Sequence, residues 1–257
     1  MFTRLQKLYQ PQLISKNLSL YRSFCTASSH STVVTNLIKI QSDVQKAVDF
    51  STKSPLAKVL PVTKRIDPEL VREAYAHGER HFGENYFQSL RDRAADFPSD
   101  IKWHFIGHLQ SNKANGLLKI PNLHVVETVD NTKLAKKLNK ACESNERTLN
   151  IFLQVNSSGE VSKSGLPPSE VLNAAEIVIH ECTSLNLKGL MSIGKIGDKK
   201  GFELMYKLKT DLCEKYDIDP DKFELSIGTS ADFEDAIIHG GATEVRVGTQ
   251  IFGERKN

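Results

Sequence analysis

Lys64 closes the run KVLPVTK over residues 58–64, a setting that can turn an amine into a nucleophile. Side chains alternate faces along a strand, so Leu60, Val62 and Lys64 share one face and Val59, Pro61 and Thr63 the other. If Leu60 and Val62 fill an interior, Lys64 reaches the mouth of that interior from the same side. A partly desolvated amine has a depressed pKa and is free to condense with an aldehyde. The same spacing also suits a solvated lysine at a strand end, with Arg65 beside it.

Two later segments place small and hydroxylated residues at strand ends. LSIGTSADFEDAI sets Gly228, Thr229 and Ser230 between a strand and a helix, with Asp232 in position to cap that helix. GGATEVRVGTQIFG sets Gly248 and Thr249 just past the last strand. Glycine lets backbone N–H groups approach an anion, and a hydroxyl adds a donor. Ser230, Gly248 and Thr249 therefore suit a phosphate, although two ordinary turns would read the same way. Arg246 alternates with Val245 and Val247 and is expected to point inward. Buried there, it needs a partner, either an internal acid or a ligand's ring nitrogen or carboxylate.

FGENYFQS (82–89) and WHFIGHLQSNK (103–113) are polar for strand ends. Asn85 is placed to hydrogen-bond a ligand. His104 and His108 would stand about 13 Å apart along a strand, so the two cannot clasp one ion, and no metal site is expected. Cys25, Cys142, Cys182 and Cys213 show neither CxxC spacing nor paired histidines, which points to reduced, structural thiols.

The elements that would position these residues alternate in texture. Short apolar runs occur at 58–64, 81–85, 102–107, 124–129, 150–156, 187–193, 223–228 and 244–248. Amphipathic stretches such as 68–76, 133–143, 170–182 and 202–216 lie between them. Val33, Leu37, Ile40, Val44 and Val48 recur at helical steps before the first run. The alternation predicts parallel βαβ units, and their number predicts one (β/α)8 barrel, with a doubly wound open sheet as the second choice. In a barrel, function sits at the C-terminal strand ends, where Lys64, Asn85, Ser230 and Gly248 fall.

The 257 residues are 39% hydrophobic and 25% charged, which excludes a collagen, a rod and a wholly disordered chain. No run of about 18 apolar residues occurs, so no membrane span is expected. The net charge of +3 is carried by the first residues: Arg4, Lys7, Lys16, Arg22 and Lys39 precede the first carboxylate, Asp43. The rest is slightly acidic, so no nucleic-acid partner is expected. Residues 1–29, basic, Ser-rich and free of acids, read as a mitochondrial transit peptide or else as a disordered leader. Residues 30–257 form the single expected domain. Mitochondrial and cytoplasmic placement are both compatible with this.

VTK, FGENYFQ, WHFIGHLQSNK, NSSGEVSKSG, GLMSI and LSIGTSADFEDAI…VRVGTQIFG occur in that order. Together they resemble the YggS/PROSC family of pyridoxal phosphate homeostasis proteins, over about residues 35–253. The resemblance implies a (β/α)8 barrel similar to the N-terminal domain of alanine racemase. It implies pyridoxal 5′-phosphate held as an aldimine on Lys64, with Arg246 near the pyridine nitrogen. Ser230 with the backbone of Gly248 and Thr249 would hold the phosphate, and Asn85, Met191 and Ser192 would line the pocket.

The expected role is to bind and buffer the cofactor and to hand it to apo-enzymes; the alternative is an amino-acid racemase. Racemisation needs a base on each face of the substrate carbon. The sequence ends four residues after IFG, without the second domain that supplies the racemase tyrosine, so no racemase activity and a monomer are expected.

Overall fold

The computed structural model describes residues 31–54, 56–160 and 162–254; the expected leader at 1–29 lies outside them. Helix α1 (Thr32–Phe50) buries Val33, Leu37, Ile40, Val44 and Val48, the face its spacing predicts, and adds Val34 and Ala47. Eight parallel strands follow: β1 (Lys58–Pro61), β2 (His81–Glu84), β3 (Lys102–Phe105), β4 (Leu123–Val129), β5 (Leu149–Gln154), β6 (Leu185–Met191), β7 (Glu224–Thr229) and β8 (Glu244–Val247). Each coincides with a predicted run, shifted by one to three residues at an end. Between them run α2 (Pro68–Ala76), α3 (Phe87–Asp96), α4 (Ala114–Leu118), α5 (Thr132–Ser144), α6 (Val171–Glu181), α7 (Lys199–Tyr216) and α8 (Phe233–Gly240), and the short α9 (Thr249–Phe252) follows β8. Helix α3 begins within the predicted polar strand end FGENYFQS, because Tyr86 is already its N-cap.

The hydrogen-bonded strand order is β1-β8-β7-β6-β5-β4-β3-β2. The two ends of that row meet through an isolated bridge, Val62 to Gly83, and through Thr63 N donating to Gly83 O at 2.8 Å. The sheet is thereby a barrel, and the open doubly wound alternative is excluded. Alternation works as expected on β1 and β8. Val59, Val245 and Val247 join the large core between strands and helices, while Leu60 and Val62 pack with Ile106 inside the barrel.

Most of the core lies outside the barrel. Inside it, apolar packing reduces to that trio and to Val125, Phe152 and Met191. Barrels of this class usually fill their interior with branched apolar side chains. Here the remaining space is taken by His104, Glu127, Ser226, Glu244 and Arg246, all buried. Such a polar interior costs stability unless every group is partnered, and the partners define the site.

Candidate functional site

The strand register converges the expected residues on one end of the barrel. Pro61 pairs with Val247 and Val62 N donates to Val247 O at 2.9 Å, so Gly248 stands level with Val62. Val62 bridges to Gly83, which sets Lys64 level with Asn85. Thr229 pairs with Arg246, and Met191 with Ser226. Lys64, Asn85, Ser192, Ser230, Arg246 and Gly248 therefore occupy neighbouring strand ends around one mouth.

Lys64 is half-buried. Its amine makes no hydrogen bond or ion pair with the described residues and lies 5.3 Å from the centre of the Tyr86 ring. The backbone beside it is fastened by a buried carboxylate, Glu84, at the end of β2. Glu84 faces the helix layer, fully buried. Its Oε1 accepts from the N–H groups of Asn85 (2.8 Å) and Tyr86 (3.3 Å). Its Oε2 accepts from the hydroxyls of Thr63 and Ser89, both at 3.1 Å, and lies 3.3 Å from Arg93 Nε. Arg93 in turn donates to the carbonyls of Thr63 and Ile66. Thr63 and Ile66, on either side of the Lys64–Arg65 pair, are thus tied to Glu84 at the end of β2 and to Arg93 on α3. The signal in the sequence was a lone acid on the outward face of a strand, beside Phe82.

Asn85 is half-buried, and its side-chain oxygen is buried without a hydrogen-bond partner among the described residues. The residue is held against β3, because a Cβ on Gly107 would fall 1.9 Å from the Asn85 carbonyl oxygen, which only glycine permits. At the β7 end, Gly228 has φ +87 and a Cβ there would meet Ala236 at 2.6 Å, so the turn can lie directly on α8. Asp232 is the N-cap residue of α8 but makes no side-chain bond to the helix, contrary to the capping expected. Its carboxylate instead accepts from Thr229 N (2.8 Å), Thr229 Oγ1 (2.9 Å) and Gly197 N (3.2 Å). Thr229 is thereby spent on the turn, whereas the half-buried Ser230 hydroxyl has no bond within the described residues. Gly248 is buried and Thr249 is exposed at the start of α9.

Arg246 points inward, as alternation requires. It donates to Ser226 O (2.7 Å), Ser226 Oγ (2.8 Å) and Ser192 O (2.8 Å). Of its five N–H groups, two remain without a partner among the described residues. Burial pulls its pKa below the ordinary range, against the pull of Glu127 and Glu244. Ser192 is buried; its hydroxyl donates to Val155 O (2.8 Å) and meets Ser157 Oγ at 2.8 Å. Met191 is fully buried among Val125 and Phe152, as packing beneath the mouth rather than an exposed wall.

Ser226 fixes the protonation of its neighbours. Its hydroxyl lies 2.7 Å from Glu127 Oε2, 2.9 Å from Glu244 Oε1 and 2.8 Å from Arg246. A hydroxyl has one proton. Arg246 donates to it and it donates to one carboxylate, so the other carboxyl must itself carry a proton. Burial pushes both pKa values up; Arg246 opposes this at Glu127, and Glu127 reinforces it at Glu244. Alternation already placed Glu244 on the face of Arg246, but a shift in register within β4 hid Glu127.

His104 is buried inside the barrel, with Nδ1 2.7 Å from Glu127 Oε1. His108 is exposed on the rim, 3.7 Å from Asp130, and borders a cavity of about 230 Å³ on the β3–β6 side of the mouth. A larger cavity, about 890 Å³, opens at the opposite end of the barrel. No described helix is long and apolar enough to cross a membrane. Among the described residues, Cys142, Cys182 and Cys213 are buried and form no disulfide; Cys25 lies outside them.

Residues 36–256 match the family described as alanine racemase, N-terminal domain. A Homo sapiens protein named pyridoxal phosphate homeostasis protein is 44% identical over 212 residues, 77% of this chain and 76% of that one. A Schizosaccharomyces pombe protein of the same name is 38% identical over 231 residues, 88% of this chain and 94% of that one. Among solved structures, PipY of Synechococcus elongatus with PLP bound superposes with a TM-score of 0.72 at 29% identity, covering 86% of this chain and 100% of that one.

Proposed function

The chain belongs to the pyridoxal phosphate homeostasis proteins, within the alanine racemase N-terminal domain family, and on that premise we propose that it binds pyridoxal 5′-phosphate at the barrel mouth and buffers the free aldehyde. The observation that carries this reading is the convergence of unspent groups there. They are the unpaired amine of Lys64, the orphaned oxygen of Asn85, the free hydroxyl of Ser230 and the uncommitted N–H groups of Arg246.

Lys64 would be the covalent anchor, Ser230 with the backbone of Gly248 and Thr249 would hold the phosphate, and Asn85 and Ser192 would line the pocket, with Met191 packed beneath. When bound, the cofactor supplies a carbonyl that exchanges between amines and a ring that can act as an electron sink. Arg246 presents a fixed positive charge and only donors, so it opposes a proton on a ring nitrogen facing it. That weakens the sink and favours storage and release over amino-acid chemistry. Delivery to apo-enzymes, a monomeric state, the absence of racemase activity and import through residues 1–29 belong to the same reading.

The test is the visible spectrum of the purified full chain before and after borohydride, followed by peptide mapping. A reduced pyridoxyl group on the peptide carrying Lys64, absent in Lys64→Ala, is expected. A protein that takes up no added pyridoxal phosphate overturns the reading. Conversion of L- to D-alanine by the loaded protein would restore the racemase alternative.

A further inference from the structure

Three histidines stand together at the end of the barrel away from Lys64. His81 opens β2, His104 lies on β3, and His124 is the second residue of β4. Each offers one ring nitrogen, and the three nitrogens lie within 4.8 Å of one another. His81 Nδ1 is 2.9 Å from His104 Nε2. His124 stands edge-on to His81 at 5.3 Å between ring centres and tilted to His104 at 5.5 Å. Its ring nitrogens take no hydrogen bond within the described residues, and the residue borders the 890 Å³ cavity.

We propose that His81, His104 and His124 form a Zn²⁺ site on the floor of the barrel, with three protein ligands and the fourth position open to that cavity. The reading does not rest on the cofactor site.

Zinc takes imidazole nitrogens at about 2.0–2.1 Å in tetrahedral array, which sets them about 3.3 Å apart. The His81–His104 pair stands slightly closer than this because a proton now holds it, and an ion replaces that proton. With His104 donating from Nδ1 to Glu127, the shared proton belongs to His81 Nδ1. On metal binding it leaves for solvent, and His81 regains a proton at Nε2, so the exchange is neutral.

The site carries the features of a ligating set. The inner histidine has its second nitrogen fixed by a buried carboxylate, Glu127, which orients the ring and raises its basicity. The ammonium of Lys58 is held between Glu224 and Glu244, so its charge does not stand alone against a dication.

The sequence hid the cluster because its members come from three strands, at positions 23 and 20 residues apart.

The test is a Zn²⁺ titration of the metal-free full chain against a chromophoric chelator, with Co²⁺ as a second probe. One equivalent bound, and the strong visible bands of four-coordinate cobalt, are expected. His124→Ala and His81→Ala, both at half-buried positions, should each weaken binding by more than about 10-fold, and Glu127→Gln by about 10–100-fold. Lys64→Ala should bind zinc as the parent does. Failure of the folded parent to take up one equivalent, or unchanged affinity in His124→Ala, overturns the proposal.

Discussion

Arg246 has two tasks, and substitutions separate them. It presents donors toward the mouth, and it compensates the buried Glu127 while pinning Ser192 and Ser226. Arg246→Ala leaves an uncompensated buried charge, which costs about 3–5 kcal/mol. Arg246→Glu adds a third carboxyl beside the two that share the Ser226 hydroxyl, and should lower the urea midpoint further. Denaturation of both against Arg246→Lys checks this; equal midpoints for all three would mean that Glu127 is neutral throughout. Lys64→Ala is the opposite case. Its amine has no hydrogen-bond or ion-pair partner among the described residues and only the Tyr86 ring nearby, so stability should change by less than about 0.5 kcal/mol while cofactor retention is lost. The one residue serves the ligand, whereas the other serves the barrel first.

The turn after β2 is the element on which the anchor depends. Glu84 accepts four hydrogen bonds from Thr63, Asn85, Tyr86 and Ser89. Glu84→Gln keeps the shape but replaces one acceptor by a donor facing donors, a loss of about 1–3 kcal/mol. It should also raise the rate at which cofactor is lost on dialysis, because Thr63 and Asn85 flank the site from both strands. Retention unchanged from the parent would confine Glu84 to stability.

The motif was legible as polar residues at a strand end, and Lys64, Arg246 and Glu244 were legible from period-two alternation. Glu84 was not, because its partners Thr63 and Arg93 come from other elements. Glu127 was not, because the register shift in β4 breaks the alternation that would have announced it. The spent hydroxyl of Thr229 and the free one of Ser230 are adjacent in sequence and alike in type; only the folded turn distinguishes them.

At the scale of the whole chain, eight apolar runs sufficed to read a barrel, since strand number and the helices between strands leave few other arrangements. The described thiols, Cys142, Cys182 and Cys213, are all buried. Burial pushes Cys142 up to about 11 from an ordinary value of 9.0. An unfolded thiol ionises above pH 9 while the folded one keeps its proton, so the native state loses stability as pH rises from 9 to about 11. Thermal melts across that range should fall more steeply for the parent than for Cys142→Val; parallel slopes would assign the loss to other groups.

The barrel is also unevenly sewn. Ladders join every neighbouring pair from β2 round to β1, but β1 and β2 share no ladder and meet past the end of β1, through the bridge at Val62 and Gly83 and the bonds of Thr63 to Gly83 and Glu84. A cylinder with one weak stave joint opens there first, by excursions far cheaper than global unfolding. Deuterium should enter the amide of Thr63, whose bond to Gly83 spans the joint, well before that of Leu153 in the β5 wall. Lys64 is rooted on the lip of that joint, so the chain's grip on its cargo would be set by how often the joint parts, and release would need no movement of the other six staves.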